Sequence, residues 1–146
     1  MPGEKITVTA AVVERDGRLL VTRRGRGVHL EGYWEFPGGK CEPGESDAAC
    51  LSRELAEEIG VTVTTSRLLQ RVSHEYEDRT IELHFYACEI SGDPAPLLDQ
   101  EIRWVTRSEL DALQFPPADE ELVRSLKDGT QMNGNSVTSA DTPDAS

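Results

Sequence analysis

Glu54, Glu57 and Glu58 stand at i, i+3 and i+4 in the stretch GKCEPGESDAACLSRELAEEIGV, which runs from Gly39 to Val61 behind a loop carrying Gly38, Gly39 and Gly44. Residues three and four apart share one face of a helix, so these carboxylates crowd together and repel one another. A site for a hard divalent cation turns that repulsion into ligation, because such ions take carboxylate oxygen, water and phosphate oxygen. Hydrolysis of a polyphosphate anhydride calls for these parts: converging acids, an attacking water and a backbone that can approach the phosphates. Glu54, Glu57 and Glu58 are therefore the first-choice ligands for Mg2+, and Mn2+ suits the same oxygen donors. A solvated helix face would account for any one of them, but poorly for all of them behind such a loop.

The same stretch resembles the signature box of the Nudix hydrolases, G-x5-E-x7-R-E-U-x-E-E-x-G-U with U aliphatic. Gly39, Glu45, Arg53, Glu54, Leu55, Glu57, Glu58, Gly60 and Val61 meet all nine specified positions. The resemblance implies an α/β/α sandwich, a mixed β-sheet packed between helices. It also implies that Gly38 brings its carbonyl to the metal, that Arg53 orients a glutamate and that Glu45 braces the loop or its waters. A further acid comes from a later loop in this family. Glu101, in LLDQEIRW, is the first choice as metal ligand or base, and Asp99 is the second. Glu54 or Glu101 is expected to take the proton from the attacking water.

Other stretches resemble the MutT branch of the family, which hydrolyses nucleoside triphosphates to monophosphate and pyrophosphate. They are Thr22-Arg23-Arg24, the run from Trp34 to Lys40, Tyr76-Glu77-Asp78-Arg79 and the run from Phe115 to Glu120. The resemblance places Arg24 and Arg79 near the base or phosphates and Asp119 where the branch recognises an oxidised guanine through asparagine. Tyr76 and Phe115 are the aromatics expected at the base, although core packing is the commoner fate of such side chains. An ionised aspartate only accepts hydrogen bonds, whereas asparagine also donates. Asp119 thus departs from the bacterial pattern and leaves two substrates in view: 8-oxo-dGTP, slightly favoured, and a cytidine triphosphate such as CTP or 5-methyl-dCTP. A hydrolase acting on another nucleoside diphosphate derivative, or a nucleotide sensor without catalysis, stand further back.

The chain has 146 residues, one domain's worth, with 37% apolar and 29% charged residues. Its net charge of −12 argues against a nucleic-acid polymer as partner but not against a single nucleotide screened by metal. No apolar run is long enough to cross a bilayer and no secretion signal is visible, so a cytoplasmic monomer or homodimer is expected. Cys41, Cys50 and Cys88 form no CxxC pair and are expected to be reduced thiols.

The elements follow from pattern. Strands are expected from Lys5 to Glu14 and from Arg18 to about Arg24, joined by Asp16-Gly17, then a short one at Trp34-Glu35-Phe36. A helix capped by Ser46 should run to Ile59 and stop at Gly60. Val61–Val72, Arg79–Ile90 and Glu101–Thr106 read as strands, with short helices at Ser108 and from Pro117. The domain is placed at residues 1–128, followed by a polar tail, 129–146, with almost nothing to bury.

Overall fold

The computed structural model describes residues 3–129. Its strands are β1 (Glu4–Arg15), β2 (Arg18–Arg23), β3 (Trp34–Glu35), β4 (Gly38–Lys40), β5 (Thr62–Glu75), β6 (Arg79–Ser91) and β7 (Glu101–Val105). The α-helices are α1 (Asp47–Ile59) and α2 (Glu120–Lys127). β1 is the central strand, antiparallel to β2 and β4 and parallel to β6. β6 carries β5 on its other edge, while β2 carries β3 and β7. The sheet is therefore mixed, as the sequence predicts.

Alternation along β1 and β2 divides the core between the two faces of the sheet. Ala10, Val12, Leu19 and Val21 join Phe85, Leu110, Leu122 and Leu126 on the side covered by α2. Ala11, Val13 and Leu20 join Leu51, Leu55 and Ile59 of α1 on the other. The result is the expected α/β/α sandwich. The turn between β1 and β2 places both Asp16 and Gly17 at positive φ, 53° and 77°, which is why this dipeptide suits the hairpin.

Both ends of α1 are closed as the sequence expects. The Ser46 hydroxyl accepts from the Ala49 N–H at 3.1 Å, and Gly60 adopts the left-handed conformation, its N–H donating to Leu55 and Ala56. Three features differ from expectation. Gly38–Lys40 forms a strand on β1, which glycines conceal because they carry no β-propensity. The segments at Ser108–Ala112 and Pro117–Asp119 are 3-10 turns, and only from Glu120 does the chain enter α2.

The third correction concerns the thiols. Cys41 and Cys50, nine apart in sequence, are joined in a disulfide with Cα atoms 5.2 Å apart, because the loop after β4 folds back over the first turn of α1. Only Cys88 stays a free, buried thiol, and burial pushes it up to about 12. The polar tail expected from 129 lies, beyond Gly129, outside the described residues. Among the described residues no helix is long and apolar enough to cross a membrane, which leaves β-barrels unaddressed.

Candidate active site

α1 turns Leu51, Leu55 and Ile59 into the core, which leaves Arg53, Glu54, Glu57 and Glu58 on the flank toward β4. Arg53 organises this flank. Its Nε and Nη2 each donate to the Glu45 carboxylate at 2.8 Å, and its Nη1 donates to Glu54 at 2.9 Å. Nη1 also reaches Glu57 at 3.4 Å, and Nη2 reaches the Lys40 carbonyl at 3.2 Å. These bonds, and the Glu42 N–H, hold the Glu45 carboxyl down to about 2, and they keep the guanidinium firmly charged. Arg53 is thus held between the carboxylates of Glu45 and Glu54.

Glu54 is nearly enclosed, its side chain 13% exposed, whereas Glu57 remains 59% exposed. Glu58 is pushed up to about 9, first by burial, then by a hydrogen bond with Glu54 and the charge of Glu35, against an opposing bond from the Gly38 N–H. A buried carboxyl set against a second one is short of positive charge. A hard divalent cation would supply it, and the donors here are all oxygen, so Glu54, Glu57 and Glu58 fit such an ion.

A methyl group on Gly39 would fall within clash distance of the Glu54 carboxylate, the mobile end of a side chain. Gly39→Ala is therefore expected to keep the fold but displace Glu54, lowering kcat about tenfold or more. Gly38→Ala would meet the backbone carbonyl of Thr9, which cannot step aside, and should instead lower Tm. Circular-dichroism melts and steady-state rates on the two variants separate these outcomes.

A cavity of about 450 Å³ opens beside Glu58, Gly38 and Gly39 and runs to Asp119, with Arg24 and Glu35 between them and Phe36, Leu83 and Phe85 along its apolar walls. Asp119 is 6% exposed and pushed up to about 7, first by burial and then by Glu35, against the pull of Arg24. Arg24 is anchored by Glu35 at 2.7 Å and by the His29 carbonyl at 2.6 Å. A second cavity of similar size shares Arg24, Glu35 and Glu58 and continues past Arg23 and Arg26 to Asp99.

Of the residues expected at the site, Arg53, Glu45, Glu54, Glu57, Glu58, Gly38, Arg24 and Asp119 are brought together by this arrangement. Glu101 is not. Its carboxylate, on β7 across from Arg23, pairs with Arg103 at 2.8 Å and Arg23 at 3.4 Å. The alternative, Asp99, lines the second cavity with Glu58. Phe115 stacks on Phe36 at 5.3 Å and packs against the core, while the cavity is walled by Phe36 and Phe85. Arg79 lies over Tyr76 at 5.3 Å and pairs with Asp78, at the exposed turn between β5 and β6. Neither residue lines the cavity that holds Asp119.

Glu35 is the residue that the sequence reading missed. Its position between Trp34 and Phe36, whose side chains are buried, places it on the opposite face of a strand leading into the glycines. Burial raises its pKa despite Arg24, so its neighbours feel a carboxyl that is costly to ionise.

A sheet sandwiched by helices, with a glycine strand feeding a carboxylate-bearing helix, offers the parts that hydrolysis of a phosphoric anhydride needs. The chain belongs to the NUDIX domain family, whose model matches residues 8–125. It is 38% identical over 127 residues to an 8-oxo-dGTP diphosphatase of Haemophilus influenzae, covering 86% of this chain and 93% of that protein. It is 37% identical over 124 residues to a CTP pyrophosphohydrolase of Escherichia coli, covering 83% and 90%. Among solved structures it resembles the Escherichia coli ORF135 protein with a TM-score of 0.76 at 34% identity, over 85% of this chain and 89% of that one. The chain is a Nudix enzyme of the pyrophosphohydrolase kind, as its sequence leads one to expect.

Proposed function

We propose that this enzyme hydrolyses nucleoside triphosphates to monophosphate and pyrophosphate with Mg2+, and that its preferred substrate is 8-oxo-dGTP. The observation that carries this reading is the single cavity joining Glu58 to Asp119, with acids for the phosphate end and a buried hydrogen-bonding group for a base. The relatives named for 8-oxo-dGTP and for CTP support both the reaction and the choice between two bases.

The base preference follows from hydrogen-bond inventory. With its pKa about 7, Asp119 at neutral pH spends much of its time as a carboxylic acid, offering one donor and one acceptor side by side. An 8-oxoguanine edge offers the complement, O6 as acceptor and N7–H as donor. Unmodified guanine presents two acceptors there and leaves the Asp119 carbonyl unmatched. Cytosine, with N3 and its amino group, also matches the acid and keeps one bond when Asp119 is ionised. That keeps the cytidine reading alive as the alternative.

At the phosphate end Glu45 holds Arg53 and Arg53 holds Glu54, which supports the reading that the enclosed Glu54 carboxylate accepts a proton from water. A bound divalent cation would neutralise charge on the phosphoryl oxygens. Arg24 bridges the two ends and is placed to bind ribose or phosphate. The enzyme is proposed to act as a cytoplasmic monomer or homodimer, without a nucleic-acid partner.

Product analysis tests the reaction. Incubation with 8-oxo-dGTP and Mg2+ should yield 8-oxo-dGMP and pyrophosphate, and EDTA should abolish turnover. Release of orthophosphate in place of pyrophosphate, or turnover that persists in EDTA, would refute it.

A further inference from the structure

The disulfide between Cys41 and Cys50 closes a ring that contains Gly44, Glu45, Ser46 and Asp47. One side of the ring is the strand end just beyond Gly39, and the other is the first turn of α1, one helical turn ahead of Glu54. Within the ring lies Glu45, whose carboxylate takes both parallel bonds from Arg53, and Arg53 in turn holds Glu54. Ser46, the helix cap, lies there too, as does Asp47, which the Tyr86 hydroxyl and the His84 ring hold at 2.5 and 2.7 Å. Opening the ring would therefore loosen the segment that positions Glu54, while Leu51, Leu55 and Ile59 keep α1 seated in the core.

The two sulfurs differ in a way that suits reversible chemistry. Cys41 is half-buried and lines an open cavity of about 470 Å³, whereas Cys50 is fully buried. The Thr9 hydroxyl donates to the Cys50 sulfur at 3.2 Å, and the start of a helix favours a thiolate there. The acids Glu4, Glu42, Glu45 and Asp47 outnumber Lys5 and Lys40 around the cavity, so a neutral small dithiol would enter more readily than an anionic thiol.

We propose that Cys41–Cys50 is a redox-modification site that sets activity: oxidised it holds Glu45, Arg53 and Glu54 in register, and reduced by a small dithiol it lets them go. Reduction proceeds by thiolate attack on Cys41, which forms a mixed disulfide and expels the Cys50 thiolate. The second thiol of the reductant then displaces Cys41, leaving two protein thiols and one cyclic disulfide, and the reverse exchange with that disulfide restores the ring. Cys41 and Cys50 are positioning residues in this scheme, and the proposal rests on Glu54 serving the hydrolytic reaction.

The test holds the full-length enzyme in defined ratios of oxidised and reduced dithiothreitol. The ring is read by alkylation and mass, kcat and KM with the best triphosphate substrate, and Mn2+ affinity by titration. Reduction should lower kcat about tenfold with KM nearly unchanged, weaken Mn2+ binding, and reverse on reoxidation. Cys41→Ser and Cys50→Ser should sit at the reduced level and ignore the redox ratio. Equal kcat and equal Mn2+ affinity in both states would overturn the proposal, as would variants that still respond or both thiols alkylating in the oxidised buffer. Should no triphosphate be hydrolysed in either state, the proposed function fails, and Mn2+ affinity alone then decides the strap.

Discussion

Glu54→Gln is expected to lower kcat about a thousandfold while Tm stays within a few degrees of the parent. On the proposed function the variant removes a base, and loss of a positioned base is typically 10²–10⁴ in rate. Stability is spared because Glu54 packs no core: the buried face of α1 is made by Cys50, Leu51, Leu55 and Ile59. Arg53 would keep its paired bonds to Glu45, so the loop should retain its shape. Glu57→Gln should also be costly but less so, since that carboxylate is more exposed and bonded to Arg53 only at 3.4 Å. Glu101→Gln, by contrast, should cost little, because its carboxylate serves Arg23 and Arg103. Matched rates and melts on these variants decide the assignment. A Glu54→Gln enzyme near parental activity would remove Glu54 from the chemistry.

Asp119 carries the second large effect. Asp119→Ala should lower kcat/KM for the preferred base about a hundredfold, since a buried site deprived of its polar partner loses far more than one methylene. Asp119→Asn is the sharper probe, because its amide keeps a donor and an acceptor at every pH. In the parent, kcat/KM for 8-oxo-dGTP should fall as pH rises through about 7, because Asp119 ionised beside Glu35 keeps the bond from N7–H but loses its donor to O6. His29, Lys40 and Glu58 also line this cavity, so the pH profile must be compared with that of the Asn variant, in which the Asp119 component vanishes.

Stability should move with it. Asp119 is raised in the fold, so between pH 3.8 and about 7 the folded chain holds a proton that the unfolded chain has lost, and stability falls as pH rises across that window. The rise corresponds to at most about 4 kcal/mol, fully expressed above pH 7. Asp119→Asn should thus be more stable than the parent at pH 8 and no more stable at pH 4, as urea titrations at the two pH values would show. A parent whose kcat/KM for 8-oxo-dGTP and whose stability both ignore pH would take Asp119 out of the pocket.

The reach of the sequence differs from element to element. α1 was legible to the residue, because its cap, its apolar period and its terminal glycine all speak locally. So was the box, since Arg53, Glu54 and Glu45 interact within a few turns of chain. β4 was not, because two glycines reveal nothing of the strand they pair with until β1 is laid beside them. The disulfide was hidden for the same reason: whether Cys41 meets Cys50 depends on a loop reversal that no spacing encodes. The pairing of Glu101 with Arg23 and Arg103 was not legible either, because one residue of strand register decides which neighbours a side chain faces. Phe115 met the commoner fate of aromatics, and Glu35 escaped notice because its partner Arg24 arrives from a neighbouring strand.

The most direct test of the account is the ratio of kcat/KM for 8-oxo-dGTP to that for dGTP, CTP and 5-methyl-dCTP, measured with Mg2+ at pH 7. The account predicts that 8-oxo-dGTP leads dGTP by about a hundredfold or more and leads both cytidine compounds. Equal rates on 8-oxo-dGTP and dGTP, or a lead for the cytidine compounds, would contradict it.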